Sequence, residues 1–273
     1  MLDEMLKNVR EKTPLVHNIT NYVTVNDCAN VLLACGGSPI MADDAMEVED
    51  ITSICGGLNI NIGTLNERTI KSMLLAGKKA NELNHPTLLD PVGAGASKLR
   101  TNTAYKLLEE VKFSVIRGNI SEIKTLALGE GTTKGVDADA LDVVTDKNLD
   151  EAVNFAKNFA IKMNAVIAIT GAIDIVTDGK KAYVIRNGHS MMSAITGTGC
   201  MLSAMATAYI TANKENILEA MAAAVCAMGL SGERAFKRLS QDDGNSTFRI
   251  YLIDEIYNLT EKRLEEGAKY ELR

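Results

Sequence analysis

Tryptophan is absent from the 273 residues, proline occurs four times and aromatic residues make up only 4%. So little proline leaves no room for a rigid Pro-rich linker, and the 21 glycines follow no repeat of the collagen or low-complexity kind. Surplus positive charge is missing as well: 29 Lys and Arg stand against 35 Asp and Glu, for a net charge of −6, and the bases are scattered. No nucleic acid and no membrane surface is therefore expected as a partner. The longest apolar run, Ala220 to Leu230, is flanked by Glu219 and Glu233 and is too short for the ~20 residues of a membrane span. It reads as a buried helix. Residues Met1 to Lys12 carry charges every few positions with no apolar h-region, so no secretory signal is expected and the expected location is cytoplasmic. The cysteines (Cys28, Cys35, Cys55, Cys200, Cys226) are odd in number and lack CxxC or Cys/His metal spacing. They suit a reducing compartment, and all but Cys200 read as small core residues.

The common nucleotide and hydrolase motifs are also missing. Neither G-x-x-x-x-G-K-[ST] nor G-x-G-x-x-G occurs, and HExxH, EF-hand and G-x-S-x-G patterns are absent. What is present is 46% apolar residues in short runs, enough for a chain of this length to bury roughly three quarters of its unfolded surface. With no linker or repeat, residues 1–273 read as a single domain. Leu58–Ile62, Thr87–Leu89, Phe113–Ile116 and Ala165–Ile169 are expected strands. Between the first two, Leu65–Leu83 is an expected helix with Ile70, Met73, Leu74 and Gly77 on one face and a Thr64/Glu67 capping box. Strand, helix, strand repeats of this kind predict an α/β fold, a mostly parallel central sheet with helices on both faces. Ile173–Thr177 and Ala182–Ile185 around Asp178-Gly179-Lys180 predict a hairpin. Gly129–Asp146 reads as a loop, and Gly199–Ile210, Ile217–Lys237 and Ser246–Glu265 as helices whose small residues pack against each other.

In an open parallel sheet, ligands bind along the edge where the strands end. Asn61, Asp90, Arg117 and Thr170 each end an expected strand, and each has a glycine nearby. Polar residues with glycine also mark ordinary turns, but four together favour a site. Thr196-Gly197-Thr198-Gly199-Cys200 opens into a small-residue helix, where free N–H groups and the positive helix end would receive a phosphate or oxyanion. A plain Gly-rich turn is the alternative. Cys200 would sit in the first helical turn, where a thiol is expected to titrate below its ordinary value and to serve as a weak base; its alternative is a packing role. Glu122 in Arg117-Gly118-Asn119-Ile120-Ser121-Glu122 is either a helix-capping acid or, with Asp90, half of a carboxylate pair of the type that holds Mg²⁺ through waters. His17, His85 and His189 share no ligand spacing, so no histidine metal site is expected.

Several ordered segments together resemble the hydroxyethylthiazole kinase family: Pro14 to Asn21, Ser38-Pro39-Ile40-Met41, Asn61-Ile62-Gly63-Thr64-Leu65, Leu89 to Ala96, Arg117-Gly118-Asn119 with Glu122, Ile169-Thr170-Gly171, and Gly197-Thr198-Gly199-Cys200. The resemblance runs nearly end to end, whereas the glycine loop alone would indicate only the wider ribokinase-like superfamily. It implies a ribokinase-like fold and Mg-ATP-dependent phosphorylation of the primary alcohol of 4-methyl-5-(2-hydroxyethyl)thiazole, a thiamine salvage step. It further implies thiazole contacts at Met41 and Gly197, ATP contacts at Arg117 and Thr170, and Mg²⁺ and phosphate support at Asp90 and Glu122. The segment at Asn21 resembles one that reaches a pocket between subunits of a homotrimer. Most ribokinase-like sugar kinases carry Asp where this chain has Cys200. Hydroxymethylpyrimidine or pyridoxal kinases, which differ at Met41 and around Asn21, and a non-catalytic thiazole or nucleotide sensor are the competing readings.

Overall fold

The computed structural model describes residues 1–129 and 143–273. Strands β1 (Leu15–Ile19), β2 (Ser38–Met41), β3 (Gly57–Asn61), β4 (Thr87–Asp90), β5 (Val115–Gly118), β6 (Val166–Ile169), β7 (Asp174–Thr177), β8 (Ala182–Ile185) and β9 (Tyr270–Leu272) form one sheet in the order β2-β1-β3-β4-β5-β6-β7-β8-β9. β1 to β6 are parallel, and β7, β8 and β9 turn antiparallel at one side. Helices α1 (Leu2–Lys12), α2 (Val25–Cys35), α8 (Thr198–Ala212), α9 (Ile217–Arg238), α10 (Asn245–Tyr257) and α11 (Glu261–Gly267) share one core with Val16, Leu88, Val115, Ala168 and Val176. Helices α4 (Glu67–Glu82), α5 (Lys98–Glu110), α6 (Ile120–Leu128) and α7 (Leu149–Met163) cover the other face, over Leu58, Ile60, Leu89, Ile116 and Ile175. A short α3 (Val48–Ile54) follows β2.

The period of two along each strand decides where the polar residues point. Ile60, Leu89, Ile116, Ile169 and Ile175 face the α4–α7 core, so their neighbours Asn61, Asp90, Arg117, Thr170 and Asp174 are directed to the α8 and α9 side. Helix α8 lies across that side, against β1, β3 and β4, with α2 and α9 on its outer flanks. From Cys200 to Ala212 every residue of α8 is buried, as expected of a helix packed all round, and its Ala, Ser and Thr residues permit the close approach.

The expected strands are present with shifted ends: Leu58–Ile62 is Gly57–Asn61, and Phe113–Ile116 is Val115–Gly118, which places Arg117 inside its strand. Gly199–Ile210 and Ile217–Lys237 are α8 and α9 with slightly wider bounds, and the hairpin turns at Gly179 with φ 92°. Four expectations need correction. The α4 cap is not Thr64 with Glu67. Asn66, in extended backbone, takes the Thr69 N–H on its side chain while the Thr69 hydroxyl takes the Asn66 N–H; Thr64 is occupied by the Tyr22 N–H. The apolar face of α4 is rotated too: Met73, Ala76, Gly77 and Ala80 are buried, Ile70 and Leu74 only half-buried. Ser246–Glu265 is two helices, because the first ends at its C-cap Asn258 and Thr260, in extended backbone, starts α11 by accepting the Arg263 N–H. Finally β1, β2 and β9 went unassigned in the sequence, since His17 and Asn18 interrupt the apolar pattern of β1, Pro39 that of β2, and β9 is fully exposed. Of the expected loop Gly129–Asp146, positions 130–142 lie outside the described residues.

Candidate active site

The centre of the site is the start of α8. Gly197 is its N-cap with φ 89°, and a side chain there would strike Thr24, so only glycine fits. The first helical hydrogen bond runs from Met201 N–H to the Gly197 carbonyl, and no side chain caps the end. The amides of Thr198, Gly199 and Cys200 therefore stand ahead of the ladder at the positive pole of the helix. Arg117 reaches the same point from β5. A Cβ on Gly199 would lie 2.6 Å from Nη1 and 2.8 Å from Nη2 of Arg117, so the guanidinium rests directly on the glycine backbone. Arg117 Nη2 donates to Thr170 Oγ1, which fixes the two expected ATP contacts to one another. Its Nη1 is 3.5 Å from Asp90 Oδ1, and its Nε has no partner.

A second group of side chains leads away from this point. Asn21 Nδ2 donates to Cys200 Sγ at 3.1 Å and to Asn61 Oδ1 at 3.0 Å, and Asn61 Nδ2 donates to Asp90 Oδ2 at 2.8 Å. Ser203, one turn along α8 from Cys200, donates its hydroxyl to the same oxygen at 2.8 Å. Asp90 is fully buried and its Oδ1 accepts no hydrogen bond. Burial pushes its carboxyl up to about 6; Arg117 pulls it down, Glu122 pushes it up, and the bonds from Ser203 and Asn61 lower it. Cys200 does not behave as the sequence suggested. Its thiol is raised above the ordinary value, first by burial and then by Asp90, and the hydrogen bonds from its neighbours only soften that. Desolvation of a thiolate outweighs the helix end here.

Glu122 occupies the third position of α6 and closes a capping box: Asn119 Oδ1 accepts the Glu122 N–H and Glu122 Oε2 accepts the Asn119 N–H at 2.8 Å. Its other oxygen accepts the Gly93 N–H at 2.8 Å, which ties α6 to the loop after Asp90. Each oxygen thus keeps only part of its acceptor capacity, and no cluster of three or more His, Cys, Asp or Glu able to hold a metal occurs among the described residues. Asp90 and Glu122 fit a cation held through water. Asp90 offers an oxygen without a hydrogen bond, Glu122 offers spare lone pairs, and the repulsion that Glu122 adds to the burial of Asp90 is what a cation would relieve.

Beside the α8 start, a cavity of about 550 Å³ opens between the sheet and α9, a volume that holds an ordinary small ligand. Arg117, Thr170, Thr198 and Gly199 line it, as do Asp174 and the apolar side chains Leu202, Val225 and Met228. His189 is in the wall and stacks on Phe236, with ring centroids 3.6 Å apart. Met41 ends the outer strand β2, half-buried, two strands from Asn61; neither it, Asn21 nor Cys200 lines this cavity. The structure so brings together Asn21, Asn61, Asp90, Arg117, Thr170 and Gly197–Cys200, holds Glu122 one loop away, and leaves Met41 at the far edge of the rim. Ser203 and Asp174 were missed. The three-residue spacing from Cys200 pointed to the first, and a single acid in an alternating apolar strand pointed to the second.

The model of the hydroxyethylthiazole kinase family matches residues 6–262. A hydroxyethylthiazole kinase of Clostridium acetobutylicum is 69% identical over 271 residues, covering 99% of both chains. The structure of a hydroxyethylthiazole kinase protein from Pyrococcus horikoshii OT3 superposes with a TM-score of 0.88 at 37% identity, over 100% of this chain and 98% of the other. An adenosine kinase of Anopheles gambiae shares the fold alone, at a TM-score of 0.50 and 11% identity, over 90% of this chain and 79% of the other.

Proposed function

The chain belongs to the hydroxyethylthiazole kinase family, and from that membership we infer that it phosphorylates the primary alcohol of 4-methyl-5-(2-hydroxyethyl)thiazole, with ATP as co-substrate, in thiamine biosynthesis or salvage. Its fold is ribokinase-like. One observation in the structure supports the reading more than any other. The Arg117 guanidinium lies against Gly199 at the positive, uncapped end of α8, an arrangement of like charge that makes sense when one anion is held by both. The cavity that opens from this point suits the rest of a nucleotide. On its other side, one residue further along α8, Cys200 belongs to the Asn21–Asn61–Asp90 network, where the acceptor alcohol would meet the γ-phosphoryl group.

Phosphoryl transfer asks the protein mainly for position and charge stabilisation. Arg117, oriented by Thr170, and the amides of Thr198, Gly199 and Cys200 bind the phosphate oxygens. Gly197 and Met41 contact the thiazole, and Asn21 fixes the sulfur of Cys200, which receives the hydroxyl proton as a weak base. Asp90 and Glu122 would hold Mg²⁺ through water, and the ion would supply positive charge to the phosphates. Asn61 and Ser203 hold one oxygen of Asp90, which leaves its other oxygen beside Arg117.

The assembly belongs to the same proposal. Tyr22 (55% exposed), Val23 (65%) and Met46 (91%) are large apolar residues on the loops next to Asn21 and Met41, which supports a homotrimer with the acceptor pocket completed at the subunit junction. Among the described residues all nine strands lie in one sheet, which supports one kinase domain over residues 1–273, and use of ATP supports a cytoplasmic location. Among the described residues no helix is long and apolar enough to cross a membrane.

The test is incubation with Mg-ATP and, separately, hydroxyethylthiazole, hydroxymethylpyrimidine, pyridoxal and ribose, with products identified by mass spectrometry. Phosphate gained by the thiazole alcohol alone is expected. Preference for another acceptor refutes the pocket assignment, and no product with any acceptor refutes the kinase reading. Light scattering that finds a fully active monomer refutes the shared pocket.

A further inference from the structure

Asp174, the first residue of β7, is the acid in the nucleotide cavity for which the reaction above has no use. Its side chain shares the α9 side of the sheet with Val176, while Ile175 between them faces α7. It is 8% exposed and lines the cavity together with Arg117, Thr198 and Gly199. Oδ1 accepts the Gly171 N–H at 2.8 Å, and no other hydrogen bond to this carboxyl is made by the described residues. Its remaining acceptor sites are therefore turned to the space in which a polyphosphate is to be held.

A carboxylate in that position opposes the ligand. Arg117 and the uncapped amides of α8 attract an anion, whereas an ionised Asp174 repels it and competes for Arg117. A neutral carboxylic acid removes the repulsion and gains an O–H to donate. We propose that nucleotide binds with Asp174 in its neutral acid form, so that binding takes up a proton from solvent at this side chain, which then donates a hydrogen bond to the bound nucleotide. The proposal rests on the reading of the cavity as the ATP site.

The surroundings agree. Burial pushes the Asp174 carboxyl up to about 7, against the lowering effects of the Gly171 N–H and of Arg117. Cys226 faces it from α9, and burial together with Asp174 pushes that thiol up to about 12, so the thiol stays neutral. Arg186 and His189 line the cavity from the segment after β8. Arg186 is engaged with Asp146 at 2.6 Å, and α7 packs on the opposite face of the sheet. A polyphosphate withdraws the influence of Arg117 and adds negative charge, and both changes favour the acid form.

The test is calorimetric titration of the full chain with a non-hydrolysable ATP analogue and Mg²⁺, in buffers of different ionisation enthalpy, for the wild type and Asp174→Asn. The amide oxygen of Asn keeps an acceptor for the Gly171 N–H, and the analogue's own protons cancel in the comparison. At pH 7 the wild type is expected to take up about half a proton more than the variant. Wild-type affinity should fall about fivefold from pH 7 to 8 and about tenfold from 8 to 9, following the neutral fraction; the variant should lack that decline. Asp174→Ala, which loses the Gly171 contact, should bind more weakly at every pH yet also lack it. Equal proton uptake in wild type and Asp174→Asn, or the same decline in both, overturns the proposal. Failure of the wild type to bind the analogue at all overturns the ATP-site reading, and this proposal with it.

Discussion

Cys200 is the residue on which sequence and structure disagree most usefully, and substituting it separates two ways of using a sulfur. At the ordinary thiol value of 9.0 about 1% would be thiolate at pH 7, and burial beside Asp90 reduces that further. If the thiolate removes the alcohol proton, wild-type kcat should rise about tenfold per pH unit from 7 to 9. Cys200→Ala should then be flat with pH and fall behind most at high pH, without losing all activity, because Arg117, the α8 amides and the cation still bind the phosphates. Cys200→Asp brings a carboxylate close to Asp90, already at about 6, and each acid raises the other. Even so, an acid titrating near neutrality would be about half ionised at pH 7, many times the thiolate fraction. Its kcat should equal or exceed that of the wild type at pH 7 and flatten above it. The assay is kcat against pH from 6 to 9.5 at saturating ATP and thiazole, with circular dichroism and analogue binding as controls. A folded, nucleotide-binding Cys200→Asp without activity refutes the base role, as does a Cys200→Ala profile that parallels the wild type.

Gly199→Ala places a methyl 2.6 Å from Arg117 Nη1 and displaces the guanidinium; kcat/KM for ATP should fall at least about tenfold with little change in Tm, and an unchanged value means that Arg117 does not serve the phosphates. Glu122→Gln keeps one acceptor oxygen but not two, so the Mg²⁺ concentration for half-maximal rate should rise about tenfold, together with a loss of ~1 kcal/mol from the weakened contacts to Gly93 and Asn119; no shift in the Mg²⁺ requirement leaves Glu122 as a cap alone. Stability should depend on pH through Asp174. Unfolded, it loses its proton near 3.8 and folded near 7, so the folded state holds the extra proton and stability falls as pH rises between those values, by up to about 4 kcal/mol. Urea unfolding without ligand should show Asp174→Asn gaining on the wild type from pH 4 to 7.5, and a constant gap refutes the burial penalty.

Much of this architecture was legible because apolar periodicity is a local signal. β4, β6 and the β7–β8 hairpin were bounded by turn residues that the backbone uses as expected, and the rim of Asn61, Asp90, Arg117 and Thr170 followed from the rule that parallel strands end on one edge. The glycine loop was legible for the same reason: Gly197 at φ 89° is where a side chain cannot go. By contrast β1 carries His17 and Asn18 in its middle, buried but satisfied, with His17 bonded to Thr52 and to the Ala42 carbonyl, and Asn18 Oδ1 accepting from the Asn59 side chain. Polar residues whose partners lie tens of residues away look like loop in a sequence.

What stayed hidden was long-range by nature. The helix end that lowers a thiol is a property of four consecutive residues, but the burial that raises the Cys200 thiol comes from α8 being packed against three strands and three helices, and the second contribution comes from Asp90 on another strand. The sign of the shift was therefore decided by contacts that residue type and spacing do not carry. The same holds for Asp174, which as a letter in Ile-Asp-Ile is one more acid near a turn. Only when β7 lies beside β6, with α9 above, does its carboxyl join Arg117 in one cavity. Burial then makes both Asp90 and Asp174 weaker acids than they are in water. An anion site that holds two such acids beside Arg117 is not merely a positive pocket. If Asp174 takes up a proton with nucleotide as proposed, the site's charge adjusts to what it binds, and the pH dependence of nucleotide affinity is where that adjustment is measured.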